Sequence, residues 1–166
     1  MQIAFPFPPK RSLNVYAAGI ALCLLISQQA LPQTNSPVAP TPPMGWNSWD
    51  SYGTTVTEAQ VKANADVMAR DLKSHGWEYI VVDIQWYEPN AQGHDYAPGA
   101  KLAMDEYGRL LPAVNRFPSS AGGTGFKHLA DYVHSKGLKF GIHIMRGVPR
   151  QAVEQNTPIK GNVPRR

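Results

Sequence analysis

The stretch from Trp77 to Trp86, W-E-Y-I-V-V-D-I-Q-W, constrains the fold more than any other part of the chain. Tyr79 to Val82 are aromatic and β-branched, without the alternation of a strand that has one wet face. Such a run fits a strand covered on both faces, the usual state of a parallel sheet. Parallel strands need long crossover connections, and the flanking sequence supplies them. Upstream, Thr57-Glu58-Ala59-Gln60 has the form of a capping box. Val61, Ala65, Met68 and Leu72 then recur at helical spacing and Gly76 offers a stop, which predicts a helix over residues 58–75. Downstream, Phe126, Leu129, Ala130 and Val133 share one face of a second helix, opening at Thr124 or Gly125 and ending at Gly137. Leu138 to Ile144, L-K-F-G-I-H-I, reads as the next strand.

With a short strand from Met44, the order is β-α-β-α-β, the repeat of doubly wound sheets and of (β/α)8 barrels. No G-x-G-x-x-G follows any strand, so the dinucleotide-binding version has no phosphate cradle. In both architectures functional groups gather at the carboxyl ends of the strands. Those ends carry Trp46 to Trp49, Asp83 to Trp86, and His143 to Arg146. Residues 87–125 form a long polar loop, a length that is usually functional or hides small local structure.

Asp83 directly follows Ile80, Val81 and Val82. A carboxylate left unpaired at the end of so apolar a strand costs several kcal/mol, so it must accept backbone N–H groups or face a ligand. Its place at a strand end beside Trp86 favours the ligand. Trp46, Trp49 and Trp86 can line a sugar, since an indole face suits the C–H face of a pyranose and its N–H can meet a hydroxyl; one of the three is expected in the core instead. His143 shares a strand face with Gly141 and Met145 and serves equally as an interior residue or a ligand contact. Arg146 reaches a ligand more readily than Arg150. The expected substrate-binding set is therefore Trp49, Asp83, Trp86, His143 and Arg146. Asp66, Asp71 and Asp131 fall within helices and read as solvated or paired surface charges. No H-E-x-x-H spacing and no G-x-S-x-G elbow is present, and neither metal nor cofactor is expected.

Lys10 and Arg11, the apolar run Leu13 to Ile26 and the exit Ser27-Gln28-Gln29-Ala30 describe a secretory signal over residues 1–30, too short for a comfortable membrane span. Export or a periplasmic location follows, with no membrane attachment after cleavage. Residues 31–43 have a Pro-rich linker composition, 44–150 the αβ pattern, and 151–166 an irregular tail. Cys23, the only cysteine, lies inside the apolar run, so the mature chain offers no disulfide and no thiolate site. The net charge of +4 falls to +2 without Lys10 and Arg11, and nucleic-acid binding has no support.

Three separated segments in order carry a resemblance: T-P-P-M-G-W-N-S-W from Thr41, the stretch T-E-A-Q-V to L-K-S-H-G-W-E-Y-I-V-V-D, and F-K-H-L-A-D-Y-V-H-S-K-G-L-K-F-G-I-H. Over residues 41–144 the chain resembles the amino-terminal part of the α-galactosidase (melibiase) family, glycoside hydrolase family 27. The resemblance implies a (β/α)8 barrel, of which this chain holds about the first three βα units, and retaining hydrolysis of terminal α-D-galactosides. It also implies that Trp49 lies against the sugar and that Asp83 is the first of two adjacent aspartates that hold its hydroxyls. Ile84 stands where the second would be, Gln85 replaces a cysteine, and His143 replaces a tyrosine. An isoleucine cannot hold a hydroxyl as an aspartate would, so a related sugar, such as a β-L-arabinopyranoside or an α-glucoside, also fits. The family's nucleophile and acid/base are aspartates that follow later strands, whereas this sequence ends at Arg166. The expectation is a glycosidase fragment that is inactive alone; the alternatives are a non-catalytic sugar-binding fragment and a gene remnant whose open sheet edges prevent stable folding.

Overall fold

The computed structural model describes residues 41–145 and 147–161. The export segment 1–30, Cys23, most of the 31–43 linker, Arg146 and residues 162–166 lie outside the described residues. Three parallel strands, β1 (Gly45–Asn47), β2 (Tyr79–Val82) and β3 (Lys139–Ile142), form one sheet in the order β1-β2-β3. Ile80 pairs with Trp46 on one side and Phe140 on the other. The apolar run is thus the central strand, with Ile80 and Val82 fully buried. A Cβ on Gly45 would lie 2.3 Å from the Tyr79 carbonyl oxygen, so β1 approaches this closely because position 45 has no side chain.

Two helices follow β1. The short α1 (Trp49–Tyr52) comes directly after Ser48, and α2 (Glu58–Val67) makes the crossover to β2. Thr57 and Gln60 close the expected box: the Thr57 amide donates to Gln60 Oε1 at 2.9 Å and the Gln60 amide donates to Thr57 Oγ1 at 3.4 Å. The chain stays helical to His75, but not as one α-helix. A wider π-helical turn covers Met68–Leu72 and a 3-10 turn covers Lys73–His75, before Gly76 stops it at φ +89°. Bonding from i to i+5 displaces later residues around the axis. Val61, Ala65 and Met68 keep their buried stripe, whereas Leu72, the fourth member, is 37% exposed.

The second crossover helix, α3, is shorter at its start than its spacing predicts and covers Lys127–Ser135. Gly122, Gly123 and Gly125 all adopt positive φ, which no right-handed helix can include, so a kinked 3-10 stretch (Pro118–Gly123) precedes it. Leu129 and Val133 of α3 share one buried cluster with Val61 and Ala65 of α2 and with Ile80 and Val82 of β2. Burying side chains of this size contributes roughly 1.5–3 kcal/mol each. The helix acids are paired surface charges: Asp66 with Lys136, Asp71 with Arg70 and Asp131 with Lys127.

The tail is not wholly irregular. Residues Arg150–Glu154 form a short helix, α4, whose Ala152 is buried. Gln151 fixes it to the long loop by accepting from the Leu102 amide at 2.8 Å and donating to the Leu102 carbonyl at 3.1 Å. Five residues are too few for a helical repeat to be visible in sequence. No helix among the described residues is long and apolar enough to cross a membrane.

Candidate sugar site at the strand ends

The two ladders continue one bond beyond the strands. The Ser48 amide donates to the Val81 carbonyl at 3.0 Å and the His143 amide to the Val82 carbonyl at 2.9 Å. This brings Ser48, Asp83 and His143 to one rim. Asp83, 8% exposed, donates its amide to Ser48 Oγ at 2.9 Å. Its Oδ1 accepts from the Ile84 amide at 2.6 Å and lies 2.7 Å from His143 Nδ1. The buried carboxylate is thereby satisfied on one oxygen, while Oδ2 takes no partner among the described residues. The strand-end acceptor role of Asp83 is thus observed: Oδ1 takes the Ile84 amide and the His143 ring.

His143 lies just past β3, and its side chain is 59% exposed. Its carbonyl accepts from Trp86 Nε1 at 3.0 Å. Trp86 itself is 3% exposed and stacks edge-on against Phe126 with ring centroids 5.1 Å apart. The expectation of Trp86 as a sugar-binding indole therefore needs correction. Trp86 is a core ring that steadies His143 from behind, because its N–H is already taken and its faces are covered. Trp46 also packs against the core, edge-on to Tyr52 at 6.0 Å. Trp49 remains half-buried at the start of α1, its amide held by Asn47 Oδ1 at 2.8 Å. Arg146, the fifth expected residue, lies outside the described residues.

Two residues that shape this rim, Arg116 and His94, carry no mark in the sequence. Arg116 is buried, and its guanidinium donates to the carbonyls of Gln85 and Glu88 at 2.9 Å each, to Val56 at 2.7 Å, and to Thr54. It ties the loop after β1 to the turn after β2, where Gln85 sits at φ +65°. Burial lowers its pKa to about 10. His94, from the long loop, meets the Trp49 ring edge-on with centroids 5.3 Å apart and planes at 73°. Neither residue belongs to a periodic segment, so no pattern marks it. A separate cavity of about 1050 Å3 lies between the long loop and the tail, lined by Tyr87, Tyr96, Leu102, Met145 and Gln151 among others; Trp49, Asp83 and His143 do not line it. Among the described residues no cluster of three or more His, Cys, Asp or Glu side chains could hold a metal ion.

Parallel strands with an acid, an indole and an imidazole at their carboxyl ends fit an α/β fold, doubly wound or barrel, that carries its functional groups on that rim. A family model described as Alpha galactosidase A matches residues 41–152, and the chain belongs to that family, the α-galactosidases of glycoside hydrolase family 27. Alpha-galactosidase A of Cellvibrio japonicus is 39% identical over 75% of this chain and 26% of its own length. Alpha-galactosidase of Cyamopsis tetragonoloba is 41% identical over 62% of this chain and 21% of its own. The chain thus spans about a quarter of the length of these curated relatives. Among solved structures, a β-L-arabinopyranosidase of the same family from Geobacillus stearothermophilus is 70% identical, with a TM-score of 0.73 over 75% of this chain and 28% of that one. A variant of that enzyme has been solved in complex with arabinose. The three-stranded sheet and its crossover helices are accordingly part of a (β/α)8 barrel.

Proposed function

We propose that the protein is a retaining glycosidase whose preferred substrate is a terminal β-L-arabinopyranoside, and that this chain supplies part of the pocket for that sugar. The observation that carries the reading is Ile84, directly after Asp83, where the α-galactosidase pattern has a second hydroxyl-binding aspartate. β-L-Arabinopyranose has the ring and hydroxyl arrangement of α-D-galactose but lacks the hydroxymethyl group. A pocket with one hydroxyl-holding carboxylate fewer suits a sugar with one hydroxyl fewer. A galactoside hydroxyl left unpaired there costs about 1–3 kcal/mol, roughly a 5- to 150-fold preference. The 70% identity to a β-L-arabinopyranosidase supports the same choice.

A second reading, α-D-galactoside hydrolysis, is favoured by the names of the 39–41% identical relatives. Release of p-nitrophenol by the whole protein from the β-L-arabinopyranoside and the α-D-galactopyranoside separates the two. A higher kcat/KM on the galactoside would replace the first reading with the second. Retention is read from the anomer first formed, by proton NMR. Retaining chemistry needs two carboxyl groups about 5–5.5 Å apart. Asp83 spends Oδ1 on Ile84 and His143, and no second carboxylate pairs with it among the described residues. The 166-residue chain alone is therefore proposed to bind sugar without turning it over. Residues 1–30 are proposed to direct export, which mass spectrometry of the mature amino terminus tests.

A further inference from the structure

The segment carrying His94 is a loop tip, yet both of its shoulders are pinned to buried groups. On one side the Gly93 carbonyl accepts twice from Thr54, from its amide at 3.0 Å and from its hydroxyl at 2.9 Å, and Thr54 is fully buried. On the other side the Ala97 amide donates to Oε1 of the fully buried Glu88 at 3.0 Å, and the Tyr96 hydroxyl lies 2.7 Å from that of buried Tyr87. Gln92 and Asp95 bridge across the tip. The approach also depends on Gly53, where a Cβ would lie 2.5 Å from the Gly93 oxygen and 3.1 Å from the His94 ring. A loop fixed at this many points projects its tip in one direction, and here that direction sets an imidazole against Trp49.

Contacts already described connect His143 to Asp83, Asp83 to Ser48, and His94 to Trp49, the residue after Ser48. His94 thus stands at the far end of a row that runs along the carboxyl ends of the strands through Trp49, Ser48 and Asp83 to His143. Its ring is exposed, and neither ring nitrogen has a hydrogen-bond partner among the described residues. The surrounding structure commits buried hydrogen bonds to placing this ring, while the ring's own polar atoms are left unused. A group positioned in that way, beside the indole that the family resemblance sets against the sugar, is placed to meet a hydroxyl of that pyranose.

We propose that His94 is a sugar-binding residue, one ring nitrogen of which hydrogen-bonds a hydroxyl of the pyranose lying on Trp49. The inference rests on the glycosidase reading above. Its test is calorimetric titration of the whole protein with L-arabinose, beside kinetics on p-nitrophenyl β-L-arabinopyranoside, for wild type, His94→Ala and His94→Gln. A lost neutral hydrogen bond weakens binding about fivefold to tenfold, so the alanine variant should show that rise in both Kd and KM with kcat within twofold. Glutamine retains a donor and an acceptor at similar reach and should recover at least half of the loss. The variants should unfold at the wild-type temperature, because the anchors are Gly93, Tyr96 and Ala97 rather than His94. Unchanged Kd and KM in the alanine variant, with the wild type binding and hydrolysing normally, would refute the role of His94 alone. A wild type that neither binds arabinose nor cleaves the aryl glycoside would remove the glycosidase reading and this inference with it.

Discussion

Nδ1 of His143 lies 2.7 Å from Oδ1 of Asp83 and joins the carboxyl end of β3 to that of β2. Because the Ile84 amide contacts the same oxygen, the carboxylate is held in one rotamer with Oδ2 directed elsewhere. The His143 contact is then a device for orienting an acceptor. His143→Phe preserves the ring's bulk and removes that hydrogen bond. We expect KM for the aryl arabinopyranoside to rise about fivefold, as the loss of one hydrogen bond of about 1 kcal/mol implies. His143→Asn, which can still donate to Asp83, should lie between the two. Equal KM values for all three proteins would show that Asp83 needs no support from β3.

The position after Asp83 should decide between sugars. Ile84→Asp restores a hydroxyl-binding carboxylate and removes an apolar branch. We expect the ratio of kcat/KM for α-D-galactopyranoside over β-L-arabinopyranoside to increase tenfold or more, within the range of one satisfied polar contact. The measurement is the pair of initial-rate profiles on the two aryl glycosides. An unchanged ratio would place the discrimination elsewhere in the pocket.

Much of this architecture is legible in the chain because its determinants are local. Thr57 and Gln60 announce the start of α2, Gly76 and Gly137 close the two crossovers, and the run Tyr79 to Val82 is the observed central strand. Asp83 and His143 are placed at the rim by the ends of β2 and β3 alone. Trp86 is different: indole composition is the same in a sugar wall and in a core, and only the covering rings of Phe126 and Tyr87 decide between them. Arg116 and His94 depend on contacts more than 20 residues away in sequence, to Gln85 and to Trp49, which no periodicity encodes. The π-helical turn at Met68–Leu72 likewise leaves no mark, since its residues are ordinary helix formers.

Arg116 should be the most costly single residue of the rim to replace. Its guanidinium satisfies carbonyls of Thr54, Val56, Gln85 and Glu88, and it holds Gln85 in the left-handed region. Arg116→Met fills similar volume but leaves the Thr54 and Val56 carbonyls without a donor, while the Gln85 and Glu88 carbonyls keep the amides of Glu88 and Ala91. At about 1–2 kcal/mol for each of the two orphaned acceptors, the expected loss is about 2–4 kcal/mol in urea unfolding. Arg116→Lys, a single point donor, should recover only part of it. A loss below about 1 kcal/mol for methionine would mean that water replaces the guanidinium and that the two loops keep their places unaided.

Glu58 gives the fold a pH dependence with a defined sign. It is buried at the start of α2, where it accepts from Lys62 and from the Ser119 amide at 2.9 Å, tying the helix to the 3-10 stretch before α3. Burial alone would raise its pKa, but the bonds from Lys62 and Ser119 outweigh it and hold the carboxyl below its ordinary value of 4.5. A carboxyl depressed on folding contributes stability that is fully present above the unfolded value and is lost as pH falls through the folded one. Unfolding free energy should therefore decline between about pH 5 and about pH 3. Glu58→Gln keeps an acceptor for the Ser119 amide without the charge. At pH 7 it should be about 1–2 kcal/mol less stable, the usual worth of a charged hydrogen bond over a neutral one. Its decline below about pH 5 should be correspondingly shallower, so that the two proteins converge in acid. Parallel curves for the two proteins over that interval would show that the acid sensitivity belongs to other carboxylates.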